Sequence, residues 1–298
     1  MRIFTAEEIR GAIDLERDLA ELLAGQRQAF IDFSSGRYEV PMPLQLRFPQ
    51  ARGECHVKAA FRDDGDLFVI KTASSTDGAM LVFSQLTGRI QLILCDGGWL
   101  TTLRTALAAA VSTEITPWGI RAIGIIGTGH LAAQVKVVMQ HRYPSADISL
   151  WGRHVEKAKL LVDDGVRLCH SPAQVLEQSD VIITTTASTQ PIIEANEVTG
   201  RKHIIALGAD DAYKQECDPF LVGKADCVIV DSRVQAAVFG ETFHAIRDHV
   251  ITASELMELG TVLQRPSPLD AQLIVTDLTG IAPQDVAIAS WLTQHLLG

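Results

Sequence analysis

The chain has 298 residues, 47% of them hydrophobic and 21% charged, the balance of a globular protein with a sizeable core. Its formal charge of −10 excludes non-specific nucleic-acid binding, which needs a basic footprint. The length favours two domains, and no run approaches the roughly 18 uncharged apolar residues of a membrane span.

Met1-Arg2-Ile3-Phe4 runs straight into Thr5-Ala6-Glu7-Glu8 with no signal-type apolar stretch, so a cytoplasmic enzyme is expected. Thr5 and Glu8 form a capping box that opens a helical N-terminus, continuing in patches to about Phe33. From Arg37 to Cys95 the texture turns β-like, with short runs at 66–71 and 79–83. Turn signals lie before, between and after them, at Asp63-Asp64-Gly65, at 74–78 and at Thr87-Gly88, which reads as an antiparallel sheet. The Ala- and Leu-rich stretch 100–112 predicts a helix. Strand candidates then alternate with helices or loops: 122–126, 148–151, 166–169, 181–185, 204–207 and 227–230. The intervening helical stretches include 131–142, 155–162 and 171–178, the last with Ser171-Pro172 as N-cap and first-turn pair. That alternation predicts a doubly wound parallel sheet. A final strand at 273–276 and a helix at 283–297 are expected to return to the first domain, making it discontinuous. The five cysteines are scattered and contain no C-x-x-C pair, so they read as reduced thiols.

Gly127-Thr128-Gly129-His130-Leu131-Ala132 fits G-x-G-x-x-A between an apolar strand and a helix. Gly127 suits the tight turn, Gly129 the close approach of a pyrophosphate, and Ala132 the packing of helix on sheet; the helix N-terminus favours the anion. Gly127, Thr128, Gly129, His130 and Leu131 are therefore candidate cofactor-binding residues for a nicotinamide dinucleotide. The second strand ends in Trp151-Gly152-Arg153, where NAD enzymes usually carry an acid. A small residue followed by Arg153 favours NADP(H), with NAD(H) possible. Thr184 to Ser188 close the fourth strand, so Thr186 and Ala187 are candidates near ribose or nicotinamide, a plain Thr-rich strand end being the alternative.

Three cations stand out for a substrate site. Lys58 follows Glu54-Cys55-His56-Val57, Lys71 ends an apolar run, and Arg104 lies on an otherwise Ala- and Leu-rich helix. A charge on an apolar element must be paired or aimed at an anion. Asp210 and Asp211 follow the fifth strand, where an acid is either catalytic or a cap. The nine histidines form no H-E-x-x-H or Cys/His cluster, so no metal site is expected, and His56 and His130 read as structural.

The segments Gly53-Glu-Cys-His-Val-Lys58, Phe68-Val-Ile-Lys71, Leu100-Thr-Thr-Leu-Arg104-Thr105-Ala106, Gly124-Ile-Ile-Gly127-Thr-Gly129, and Gly208-Ala-Asp210 with Lys214 and Glu216 occur in order, followed by Val230-Asp231-Ser232 and Thr276-Asp277-Leu-Thr279-Gly280. With them the chain resembles the ornithine cyclodeaminase/mu-crystallin family over nearly its whole length. The resemblance implies an α/β fold in which a Rossmann-type doubly wound parallel sheet, 113–272, is inserted into a discontinuous α+β substrate-binding and dimerisation domain, 1–112 plus 273–298. It also implies a homodimer acting on a small amino or imino acid. Lys71 and Arg104 would bind the substrate carboxylate, Asp210 would be the acid/base or amine-binding group, and Thr279 and Gly280 would approach the nicotinamide. Thr105 joins the cofactor-binding candidates. Family members often carry an Arg after a Val-Pro pair; here Val40-Pro41 precedes Met42-Pro43-Leu44, and Lys58 is the candidate replacement. The loop after Lys71 is compressed to 72–78. The expected activity is NAD(P)H-dependent reduction of an α-imino acid. The alternatives are an amino-acid cyclodeaminase with internally recycled NAD, or a cofactor-dependent binding protein of mu-crystallin type.

Overall fold

A computed structural model describes residues 1–48, 53–74 and 77–297. The chain divides into two units, Met1–Ala108 with Ile281–Gly298, and Ala109–Gly280.

The first unit holds a seven-stranded sheet. Its strands are β1 (Arg2–Thr5), β2 (Tyr38–Glu39), β3 (Leu44–Phe48), β4 (Gly53–Arg62), β5 (Leu67–Ser74), β6 (Gly78–Ser84) and β7 (Ile90–Cys95). They lie in the order β1-β7-β6-β5-β4-β2, with β3 also on β4. All pairs are antiparallel except β1 with β7. The Thr5–Glu8 capping box is present, opening α1 (Ala6–Gly11). The expected single helical stretch is nevertheless two helices. Asp14 accepts the Glu16 N–H at 3.1 Å and starts α2 (Leu15–Ser34) afresh. Strand pairing also takes most of the expected 72–78 loop, since β5 runs to Ser74 and β6 begins at Gly78; residues 75 and 76 lie outside the described residues.

One face of this sheet carries Ala60, Val69, Met80, Val82, Leu92 and Leu94, all buried. Lys58 and Lys71 sit on it at alternate positions of β4 and β5. The C-terminal helix (Ala282–Leu297) packs on β4, β5 and α2. α3 (Trp99–Ser112) follows β7, and the boundary between the units falls within it.

The second unit is built on an eight-stranded sheet, parallel throughout, with strands β8 (Ala122–Ile126), β9 (Asp147–Trp151), β10 (Val166–Leu168), β11 (Val181–Thr184), β13 (Lys202–Ala206), β15 (Cys227–Val230), β16 (Met257–Glu258) and β17 (Leu273–Asp277). A separate parallel pair is formed by β12 (Thr189–Ile193) and β14 (Gln215–Cys217). The order β10-β9-β8-β11-β13-β17-β15-β16 reverses between β8 and β11, the switch point at which such sheets bind ligands. Its helices are α4 (His130–Arg142), α5 (Val155–Lys159), α6 (Pro172–Gln178), α7 (Pro219–Lys224), α8 (Arg233–Ala236), α9 (Gly240–Arg247) and α10 (Leu259–Val262).

One expectation is corrected here. The strand at 273–276 does not return to the first unit; as β17 it pairs with β13 on one side and β15 on the other. All five residues of Leu273–Asp277 are buried without alternation, which suits a strand covered on both faces inside a parallel sheet. Only the chain from Ile281 onward belongs with the first unit. Among the described residues no helix is long and apolar enough to cross a membrane.

Candidate active site

In the second unit, β8 delivers the chain into the glycine turn. Gly127 has φ 137°, and a Cβ there would come 2.1 Å from Thr185 Oγ1, so only glycine fits. Gly129 is the N-cap of α4, makes no side-chain cap, and has open space where its Cβ would be. The first N–H groups of α4, from His130 and Leu131, thus meet an open approach with the helix dipole behind them, a shape and polarity that fit a pyrophosphate. Ala132 is fully buried against the sheet. Gly152 answers a local need: a Cβ at this position would lie 2.1 Å from Thr128 Cγ2. Arg153, next along, is exposed.

The carboxyl ends of β11 and β13 are tied together by Glu216. Its carboxylate accepts from Thr184 Oγ1 at 2.7 Å, the Thr186 N–H at 2.5 Å and the Gly208 N–H at 2.8 Å. Thr184 therefore spends its hydroxyl inward, and Thr185 bonds Ile126 O at 3.1 Å. Of the hydroxyl run after β11, Thr186 is half-buried and its neighbour Ala187 exposed. Glu216 and Cys217 in turn donate their N–H groups to Glu241 at 2.8 and 2.9 Å. Asp277 accepts from Thr242 N and Oγ1, both at 2.8 Å. These three acids are buried, and burial pushes all of them up: Asp277 to about 7, Glu241 well above the carboxylate range with help from Glu216 and Asp277. None of the three was singled out for this role from the residue pattern.

Asp210 and Asp211 separate into two roles. Asp211 is buried and caps its turn, accepting the Tyr213 and Lys214 N–H groups at 2.7 and 2.8 Å. Asp210 leaves 38% of its side chain exposed and takes Lys214 Nζ at 2.6 Å. Thr279 and Gly280 are held by Asp231, whose carboxylate accepts Thr279 Oγ1 at 3.2 Å and the Gly280 N–H at 2.6 Å, while Gln235 Nε2 donates to Thr279 Oγ1 at 2.7 Å.

In the first unit the three cations are all buried: Lys58 at 6%, Lys71 at 2% and Arg104 at 5% exposure. Lys58 and Lys71 are directly opposed across β4 and β5. Asp285, on the C-terminal helix, lies 3.1 Å from Lys71 Nζ and 3.5 Å from Arg104 Nε. Gln284 Oε1 accepts from Arg104 Nη1 at 3.1 Å. Burial pulls Lys71 down to about 7; Asp285 opposes this, and Arg104 and Lys58 reinforce it. Asp96, the acid before α3, is raised to about 6 by burial and accepts the Leu100 N–H at 2.7 Å. Arg104 Nε, Gln284 Nε2 and Asp285 Oδ2 are buried with no hydrogen-bond partner among the described residues. A buried unpaired donor is costly until an acceptor arrives, so the two orphan donors, Arg104 Nε and Gln284 Nε2, have the chemistry to accept an oxygen ligand. Thr105, beside Arg104, bonds Thr101 O at 2.7 Å and is half-buried. Asp285 and Gln284 were missed; the signal was a polar pair inside Ile281-Ala-Pro-Gln284-Asp285-Val-Ala-Ile, an otherwise apolar helix start.

The ornithine cyclodeaminase/mu-crystallin family profile matches residues 9–298. The chain belongs to this family. Members are NAD(P)-dependent oxidoreductases and cyclodeaminases, so this family member is an enzyme of that group. It is 30% identical to an uncharacterized cyclodeaminase of Sinorhizobium fredii over 99% of this chain and 96% of the relative. It is 35% identical to the iminosuccinate reductase of Paracoccus denitrificans over 70% of this chain and 68% of that one. The structure of that reductase in complex with NAD+ superposes with TM-score 0.87 at 25% identity, covering 98% of this chain and 95% of the other. An archaeal alanine dehydrogenase dimer with bound NAD matches with TM-score 0.89 at 25% identity over 99% and 95% of the two chains. The fold class read from the residue pattern, a parallel nucleotide-type sheet with a second mixed sheet, is the fold of these relatives.

Proposed function

We propose that the protein reduces an α-imino acid to the amino acid at the expense of NAD(P)H. The observation that carries this is the buried cluster of Lys71, Arg104, Asp285 and Gln284, whose orphan donors call for a carboxylate. Lys71 and Arg104 hold the α-carboxylate of the substrate, with Lys58 beside them, and Asp210 is the acid/base group, paired with Lys214. The nicotinamide, when bound, supplies a hydride to the imine carbon. The nitrogen takes up one proton, and NAD(P)H leaves as NAD(P)+. Fixing the carboxylate fixes where the imine carbon sits, which is the main catalytic contribution open to the protein.

The proposed cofactor ligands are Gly127, Thr128, Gly129, His130 and Leu131 at the pyrophosphate, Arg153 at the adenine ribose, and Thr105, Thr186, Ala187, Thr279 and Gly280 toward the nicotinamide. Exposed Arg153 supports NADP(H) over NAD(H). Gly152 no longer adds to that preference, since packing against Thr128 already requires it. A homodimer is part of the proposal: Met42 just before β3 and Leu44, Leu46 and Phe48 along it are exposed apolar side chains, and the related alanine dehydrogenase is a dimer. The five cysteines are free thiols, in keeping with a reducing, cytoplasmic setting. The ion pair that engages Asp210 disfavours its holding the distal amine of a cyclodeaminase substrate, and three buried cations disfavour a pure binder of neutral molecules.

The test is NADPH and NADH oxidation with 2-oxo acids plus ammonia or methylamine, and with cyclic imino acids. Reduction of at least one imino acid is expected. Arg104→Lys, which cannot present a planar fork, should lower kcat/KM about a hundredfold, roughly 2.7 kcal/mol, with cofactor affinity retained. Absence of reduction across the panel overturns the reading.

A further inference from the structure

An α-imino acid carries its carboxylate and its nitrogen on one carbon. Whatever holds the nitrogen must therefore stand beside whatever holds the carboxylate. In the first unit Asp285 meets that condition: its Oδ1 lies 3.1 Å from Lys71 Nζ and 3.5 Å from Arg104 Nε. It sits in the first turn of the C-terminal helix, where the helix dipole favours negative charge. Its second oxygen, Oδ2, is buried with no hydrogen-bond partner among the described residues. An acceptor in that state is costly until a donor reaches it. Two neighbouring polar groups are already engaged. Asp96 accepts the Leu100 N–H at 2.7 Å. Gln284 Oε1 accepts from Arg104 Nη1 and from the Ile281 N–H, both at 3.1 Å, which leaves Gln284 Nε2 as the unpartnered donor of that amide. The cluster thus offers two unpartnered donors, Arg104 Nε and Gln284 Nε2, together with the unpartnered acceptor Asp285 Oδ2. A lone carboxylate answers the donors but meets Asp285 as a like charge. A ligand with a carboxylate and a cationic nitrogen on the same carbon answers all three.

We propose that Asp285 is a further catalytic residue, and that its Oδ2 holds the nitrogen of the protonated imine. This rests on the carboxylate position assigned in the reductase reading above and adds the group that fixes the nitrogen. An anion beside the imine favours its protonated form, the form that accepts hydride. Hydride then goes to the carbon and the C=N double bond becomes the C–N bond of the amine. Asp285 exchanges no proton; that task stays with Asp210.

The test is equilibrium binding to the full chain in the presence of NADP+ or NAD+. L-Alanine is compared with propionate, and L-proline with tetrahydrofuran-2-carboxylate, pairs that differ in the nitrogen. The amino acid of at least one pair is expected to bind at least about tenfold more tightly than its partner, the scale of a charge-assisted hydrogen bond. Asp285→Asn should lower that ratio at least about tenfold without weakening the nitrogen-free ligand to the same degree. Asp210→Asn should keep the ratio. An equal fall of both ligands in Asp285→Asn means that Asp285 only organises the cations, and overturns the proposal. Ratios near one for both pairs in the unsubstituted protein, or no binding of either amino acid, also overturn it. If Asp285→Asn does not fold, Asp210→Asn decides: a ratio lost there assigns the nitrogen to Asp210 and overturns the proposal, and a ratio kept there supports it. None of these readouts needs turnover, so failure to reduce any imine overturns the reductase reading separately.

Discussion

The carboxylate of Asp285 lies 3.1 Å from the ammonium of Lys71, although 214 positions separate them in the chain. The contact favours the ammonium in a place where burial opposes it, and Lys71 comes out near 7 instead of its ordinary 10.5. Because the folded value lies below the unfolded one, the penalty of burying this charge is full below about pH 7. It fades as pH rises toward 10.5, so this group makes stability rise with pH across that window.

A pH profile follows from the same contact. If Lys71 holds the substrate as an ammonium, kcat/KM should fall as pH rises through about 7. Asp285→Asn removes the opposing carboxylate and should move that alkaline limb to lower pH by roughly one unit. A limb that stays in place in the variant would show that Lys71 is not the titrating group.

Gly152 and Thr128 should behave as a coupled pair. Gly152→Ala drives a methyl to 2.1 Å from Thr128 Cγ2 and should cost about 1–3 kcal/mol, measured by denaturant unfolding. Thr128→Ser removes that methyl and should restore most of the loss in the double variant. Additive effects would sink the packing explanation and return Gly152 to a cofactor role.

Cofactor choice is read at Arg153. A charge-assisted contact to a 2′-phosphate is worth roughly 1.5–3 kcal/mol, so Arg153→Ala should lower NADPH affinity about ten- to a hundredfold relative to NADH. Fluorescence titration of both cofactors checks it; an unchanged ratio argues for NAD(H), the cofactor in the solved relatives.

Asp210→Asn tests proton transfer with little structural confusion, because Asp211 and not Asp210 caps the turn. We expect kcat to fall more than tenfold while thermal stability changes little. Retention within about threefold, below 1 kcal/mol, would leave Asp210 as a partner of Lys214 and nothing more.

The dinucleotide turn was legible because its information is local: an apolar strand, two spaced glycines and a helix start, all within a dozen residues. The first-unit cations were legible as misfits on apolar elements. Their partners were not, since Asp285 reaches Lys71 only through the packing of the C-terminal helix on β5. The roles of Asp210 and Asp211 were likewise undecided by adjacency, because which carboxylate turns inward depends on the local turn. The placement of β17 was lost for a related reason: a short, wholly apolar strand carries no mark of which sheet it joins.

The buried trio of Glu216, Glu241 and Asp277 reaches beyond the site it supports. A formal charge of −10 and a sequence isoelectric point near 5.3 count those acids as ordinary carboxylates. Folding moves all three upward, Asp277 to about 7, and raises Asp96 to about 6, so near pH 5.5 the folded molecule holds protons on Asp277 and Asp96 that the opened chain has given up. Buried His203, lowered to about 3, works the other way by a single charge, and Lys71 is protonated in both states there. Isoelectric focusing should therefore find the native protein at a higher pH than the same protein in urea: the electrophoretic position of this enzyme is a record of how deeply its acids are buried.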